Sequence, residues 1–290
     1  MKIFLTGASG FIGSAVLKEL LEKEYEVVSL ARSEAAKEKI LAIGGEVVIG
    51  DLESTEIIAE AAKEADGVIH LGFIHDWANM ENSSRIDREV IQTIGDALVG
   101  TEKAFIVTSA IGQFPAGELK KETDAIDKSS LRGPSETTAL TYQDKGVRVM
   151  IVRPAPSVHE DGHSGFIDGL FDLAKQNGRS YYAEGAYHWS AVHLADIATL
   201  YRLAIEKGEK GAAYHGVAES DIPLKSIAEK IGESLGLPVE AIADEEAPGK
   251  FTWLAKFTLR NVWGDNELTK AALGWEPTHL GLLEDLEQRK

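Results

Sequence analysis

The sequence predicts an α/β fold, a doubly wound parallel sheet with a smaller C-terminal α/β lobe. Three observations carry this. Short, almost wholly apolar runs alternate with longer amphipathic ones through the first half of the chain, as strands covered on both faces by crossover helices require. The first strand-like and helix-like runs are joined by a turn with glycine at every third position, Gly7, Gly10 and Gly13. After about Pro154 the rhythm changes: apolar runs shorten, and His, Gly and aromatic residues become denser.

The elements follow in order. "KIFLT" (2–6) is a strand, and "FIGSAVLKELLEK" (11–23) carries apolar residues at helical spacing. "EVVSL" (26–30), "EVVIG" (46–50) and "GVIHLG" (67–72) are further strands, separated by the helical "SEAAKEKILAIG" and "STEIIAEAAKEA". A helix over 82–99, strand "KAFIVTS" (103–109), a helix near 133–144 and strand "VRVMIVR" (147–153) continue the series. Right-handed crossovers make a doubly wound sheet the simplest assembly. Beyond it, the short strands "YYA", "WSAVHL" and "AAYHGV" accompany helices 195–207 and 223–235, and "EEAPGK" (245–250) reads as a surface loop. The expected division is a dinucleotide-binding domain, 1–154, and a smaller dependent substrate lobe, 155–290, over the carboxyl ends of the strands.

With 290 residues the chain can bury a sizeable core. Its formal net charge of −17 argues against a nucleic-acid or anionic-membrane surface, both of which need clustered Lys and Arg. There is no Cys, which excludes thiolate chemistry and Cys-ligated metals. The opening "MKIFL" is broken at once by Thr-Gly, and no segment approaches the roughly 20 apolar residues of a membrane span. A cytoplasmic protein is expected. No metal is expected, because His159 and His163 are separated by the loop-like "EDG".

The glycine turn meets three constraints: a tight turn at Gly7, room for a pyrophosphate at Gly10, and close helix–strand packing at Gly13. Ser9, Phe11 and Ile12 complete the stretch that opens the helix, whose N–H groups face the phosphate. After the second strand Ala31 occupies the slot where an acid would hold the ribose of NAD. Arg32 follows and suits a 2′-phosphate, favouring NADP over NAD; alternatively it is a solvated Arg beside Glu34. Asp51, with Leu52 in "GDLES", suits the adenine amino group or belongs to a helix start, where Ser54 is the better cap.

These residues resemble the short-chain dehydrogenase/reductase superfamily, in its extended and atypical branches related to epimerases and dehydratases. The likeness runs from "TGASGFIG" through "VTSA", "VRVMIVRPAPSVH" and "WSAVHLADIATLYRLAIE" to "LTKAALGWEPTHLGLLEDLE". It implies a Rossmann fold and hydride exchange between the nicotinamide cofactor, NADP on the reading of Arg32, and a small carbonyl or hydroxyl compound. Leu71, Gly72 and Phe73 then flank the cofactor ribose, and Thr108, Pro154 and Ala155 border its nicotinamide end. Ser109, or Ala110 on a one-residue shift, takes the place of the family serine.

The family's Tyr-x-x-x-Lys pair is replaced: "RGPSE" puts Arg132 in the Tyr position and Glu136 in the Lys position. Tyr142 lies too far along the helix to substitute. His159 is then a candidate general acid or a structural loop histidine, and Asp87 a structural carboxylate or proton relay. His193 and Asp196 read as a helix-start hydrogen bond. His75, Asp76, Arg132 and His188 are expected to line the substrate pocket. Nucleotide-sugar epimerase or dehydratase chemistry, and non-catalytic NADP(H) sensing, are alternative functions. Analogy points to a homodimer through helices 82–99 and 133–144.

Overall fold

The computed structural model describes residues 1–115 and 117–289. The first part of the chain forms β1 (Lys2–Thr6), α1 (Phe11–Glu22), β2 (Glu26–Ala31), α2 (Glu34–Ile43), β3 (Glu46–Ile49), α3 (Thr55–Glu64), β4 (Gly67–His70), α4 (Met80–Leu98), β5 (Ala104–Thr108), α5 (Gly133–Leu140) and β6 (Arg148–Pro154). It continues with β7 (Ser157–His159), α6 (Gly165–Asn177), β8 (Ser180–Ala183), β9 (His188–His193), α7 (Leu194–Lys207), β10 (Ala213–Gly216), β11 (Glu219–Pro223), α8 (Leu224–Leu235) and β12 (Val239–Ile242). Four short helices close the chain: α9 (Ala247–Phe251), α10 (Ala255–Thr258), α11 (Glu267–Leu273) and α12 (Leu282–Asp285).

Seven parallel strands form the central sheet in the order β10-β6-β5-β4-β1-β2-β3. Alternate side chains serve two apolar cores. Ile3, Leu5, Ile69, Ile106, Met150 and Val152 pack with α1 and α7 on one face. Phe4, Val68, Phe105, Val107, Val149 and Ile151 pack with α3 and α4 on the other. Burying each such side chain contributes about 1.5–3 kcal/mol, so both helical layers are held by the pleat itself.

The sheet crosses residue 154. β10 pairs with β6 in register Ala213↔Ile151 to Gly216↔Pro154, although "AAYHGV" reads as part of the lobe in the sequence. α7 lies along α1, where Arg202 Nε donates to Glu19 Oε1 at 2.6 Å. The later half therefore completes the sheet and shares an apolar core with the earlier half. Two small sheets, β11-β9-β7 and β12-β8, build the lobe around α6 and α8.

Two local expectations need correction. "EEAPGK" contributes to α9 rather than to a surface loop, because Ala247 and Phe251 recur at helical spacing and are buried in the lobe. The expected helix 133–144 stops at Leu140. Tyr142 turns instead against Gly95 of α4, and its hydroxyl donates to Asp96 Oδ1 at 2.8 Å. Among the described residues no helix is long and apolar enough to cross a membrane.

Candidate active site

β1 and β4 are neighbours in the sheet although their following helices wind in opposite senses, so a crevice opens at their carboxyl ends. The glycine turn fills this switch point. Gly7 has φ +78°, and a Cβ there would lie 2.8 Å from the Gly72 backbone nitrogen. A Cβ on Gly13 would lie 2.0 Å from the Gly7 carbonyl oxygen; only glycine lets α1 approach β1 this closely. Gly10 differs. A Cβ there would meet only the Gly7 oxygen, at 3.2 Å, a tight contact but far milder than those at Gly7 and Gly13. Gly10 is exposed at the N-cap of α1, which has neither a side-chain cap nor an acidic residue in its first turn. The free N–H groups of that turn, with the space above Gly10, fit the phosphates of a dinucleotide.

Arg32 follows the end of β2 and is exposed. Glu34 pairs with Lys37 at 2.7 Å, rather than neutralising Arg32. Asp51 Oδ1 accepts from the Glu53 amide at 3.0 Å and the Ser54 hydroxyl at 2.9 Å. Ser54 occupies the α3 N-cap position without making a side-chain cap. Leu52 reaches the Gly72 side of the crevice. Ser9, Ile12, Leu71 and Phe73 are half-buried, and Phe11 is exposed. Thr108 is bonded to the Tyr201 hydroxyl of α7 at 2.8 Å, while Pro154 and Ala155 are buried at the end of β6.

A buried relay runs from this crevice to Arg132. The Gly72 amide donates to Thr6 Oγ1 at 3.0 Å, and Thr6 Oγ1 lies 2.7 Å from His70 Nδ1. His70 Nε2 lies 3.2 Å from Asp87 Oδ1, which also accepts from the Arg132 guanidinium at 3.1 Å. An ionised Asp87 assigns the His70 proton to Nε2, leaving Nδ1 to accept from Thr6. Burial would raise the Asp87 pKa, but the charge of Arg132, followed by His70, holds it below the usual carboxylate range.

Three groups fix Arg132. Asp87 holds its guanidinium, Gln113 Oε1 accepts from its amide at 2.9 Å, and its Cζ lies 4.5 Å from the Phe73 ring centroid. These contacts put a permanent cation at the carboxyl ends of β4 and β5. Its Nε is buried and unpaired among the described residues, as is the Ser109 hydroxyl just beyond β5. Exposed His75 follows on the same edge; partial desolvation and then Arg132 lower its pKa. Asp76 caps its own loop through the Ala78 amide at 3.1 Å.

Glu136 forms a second ion pair. Its carboxylate is gripped by the guanidinium of Arg153, with both residues almost wholly buried. Arg153 also donates to the Glu122 carbonyl at 3.0 Å and approaches His215 Nε2 at 3.3 Å. Burial, then the charge of Arg153, pushes the His215 imidazole down to about 3. Its Nδ1–H accordingly donates to the Asp265 carbonyl at 2.8 Å, and Nε2 accepts. The Tyr-Lys slots thus hold an Arg bound to Asp87 and a Glu bound to Arg153. Sequence inspection identifies both substitutions but neither partnership.

The remaining histidines lie in the C-terminal lobe. His159 is fully buried, with Nδ1 2.8 Å from Asp285 and its ring edge-on to His193. His193 accepts from the Ala195 amide at the start of α7, and Asp196 binds the His279 side chain and amide. His159 is enclosed by protein and has no open face for substrate. His188 lies beside Asp221 and against Trp263 at the β9–β11 edge, rather than in contact with Arg132. Trp77, Trp253 and Phe166 are additional aromatics beyond the expected set. Only Trp77 had a positional signal, following "FIHD" after β4.

The NAD(P)H-binding family profile matches residues 7–170. An uncharacterized protein of Saccharomyces cerevisiae is 45% identical across 99% of this chain and 98% of its own length. The 4-hydroxy-2-methyl-3-oxo-4-farnesyl-3,4-dihydroquinoline-1-oxide ketoreductase of Stigmatella aurantiaca is 24% identical, covering 83% of this chain and 75% of that protein. The NAD-bound dTDP-glucose 4,6-dehydratase structure from Streptomyces venezuelae has a TM-score of 0.77 at 20% identity, over 99% of this chain and 96% of that one. With the glycine turn at the β1–β4 switch point, these matches identify the chain as a member of the NAD(P)H-binding family.

Proposed function

We propose that the chain is an NADPH-dependent reductase of carbonyl compounds, with Arg132 in the role of the missing tyrosine. The carrying observation is the fixed, incompletely paired guanidinium at the carboxyl ends of β4 and β5. Bound dinucleotide supplies the hydride. Ser109 orients the carbonyl oxygen, and Arg132 stabilises the negative charge that develops there, without itself titrating. Water donates the proton that completes the alcohol. The Stigmatella aurantiaca ketoreductase supports the reaction class. Gly10 and the first amides of α1 hold pyrophosphate in this reading, and Arg32 selects the 2′-phosphate.

Purified chain, NADPH and a panel of ketones and aldehydes test the proposal by following NADPH absorbance. Steady oxidation, with NADPH preferred to NADH, is expected. Tight NADPH binding without turnover would instead favour the sensing alternative, which the occupied Glu136–Arg153 pair supports.

Two variants examine the cofactor assignment. Gly10→Ala should lower the melting temperature only slightly, since its methyl meets a single backbone atom, the Gly7 oxygen at 3.2 Å, which must give way a little. Its NADPH affinity should fall about tenfold or more, an order of magnitude corresponding to about 1.4 kcal/mol. Arg32→Glu should weaken NADPH by about 10- to 100-fold and NADH much less, the scale of losing a hydrogen bond to a charged group. Fluorescence titration measures both effects; equal losses for the two cofactors would remove Arg32 as selector.

A further inference from the structure

A row of aromatic rings leaves the reaction edge and crosses to the C-terminal lobe. Beginning beside Arg132, the Phe73 and His75 centroids are 5.1 Å apart and His75 is 6.3 Å from Trp77. Trp77 meets Trp253 at 5.1 Å with a 38° tilt, and Trp253 lies 6.1 Å from Phe166. Trp77 belongs to the loop after β4, whereas Trp253 lies between α9 and α10. Both remain widely exposed, at 47% and 42%.

Isolated exposed tryptophans need no explanation, but a contiguous exposed pair joined to a fixed cation at a cofactor crevice marks a binding surface. The backbone supports the same conclusion. Thr252, immediately before Trp253, has φ +50°. This is a left-handed conformation that a β-branched residue adopts only when its surroundings impose it. Lys256 approaches the face of Trp77, with Nζ 5.9 Å from the ring centroid, adding a cation to this side of the row.

We infer that the substrate is a flat, conjugated carbonyl compound whose ring stacks on Trp77 and Trp253 while its carbonyl addresses Arg132. Rings presented by face and edge reward a planar π-system beyond the area they bury, whereas an aliphatic group gains only that area. This inference rests on the reductase reading. Hydride and a proton from water convert the carbonyl to its alcohol, as above.

The test compares acetophenone with cyclohexyl methyl ketone as substrates, using the full chain and NADPH. Benzamide and cyclohexanecarboxamide serve as non-reducible probes of tryptophan fluorescence. Acetophenone should have a KM about tenfold lower, and Trp77→Ala should abolish that preference while retaining the melting temperature. Benzamide should give saturable quenching that Trp77→Ala loses, while cyclohexanecarboxamide should not saturate. Equal KM values, or an unchanged preference in the variant, overturn the substrate class while leaving the reductase reading intact. If neither ketone turns over, the reductase reading fails for this pair, and the amides still decide the aromatic site. Equal binding of the two amides overturns that site.

Discussion

Arg132→Ala is expected to lower carbonyl turnover by about a hundred- to a thousandfold, the scale of losing one preorganised donor to a developing oxyanion. On the proposed cofactor assignment NADPH should still bind, because the glycine turn and Arg32 remain. Arg132→Lys should recover part of the rate, since it retains charge but lacks the planar fork that engages Asp87 and substrate together. Single-turnover kinetics and NADPH titration separate the two effects; an unchanged rate would remove Arg132 from the chemistry.

The alanine variant also leaves Asp87 buried without its main counter-charge, so melting should be measured beside turnover. In the wild-type protein, Arg132 keeps the Asp87 pKa low. The associated stability is present above the carboxyl's ordinary range and is lost as pH falls through the lowered folded value. Arg132→Ala should therefore lose most stability near neutrality, with the difference from wild type narrowing in acid.

The largest stability effect is expected at Glu136. Glu136→Gln leaves the Arg153 guanidinium buried without its carboxylate and should cost about 3–5 kcal/mol. At about 2–4 °C per kcal/mol, the melting temperature should fall on the order of 10 °C. Glu136→Lys should be worse, although it restores the family's residue type, because it places an ammonium beside Arg153. The double variant Glu136→Gln, Arg153→Met should regain much of the loss, since replacing a buried pair with apolar packing is far milder than orphaning one charge. If Glu136→Gln melts like the wild type, the pair does not hold this edge of the sheet.

Much of the fold is legible in local order. Val-rich runs mark β2 and β6, which are buried on both faces, and also the edge strand β3, whose residues stay half-buried or exposed; the glycine spacing marks the turn from β1 into α1. α9 was obscured by the polar appearance of "EEAPGK", of which only Ala247 is buried, together with Phe251 just beyond it. The placement of β10 was equally hidden: its short run looks like those of the lobe, and only a partner edge on β6 assigns it. In the candidate site, "RGPSE" announces that the usual proton donor is missing. It does not announce Asp87, Arg153 or the aromatic row.

By itself the sequence determined the alternating α/β order, the dinucleotide turn and the loss of the Tyr-Lys pair. These are properties of adjacent residues: apolar period, glycine spacing and residue type within one motif. Tertiary structure alone decided that Arg132 meets Asp87, Glu136 meets Arg153, His159 is enclosed by Asp285 and Trp77 faces Trp253. Such pairings join different elements, so no local periodicity encodes them. They arise because the sheet brings its strand ends together and burial then requires each charge to find a partner.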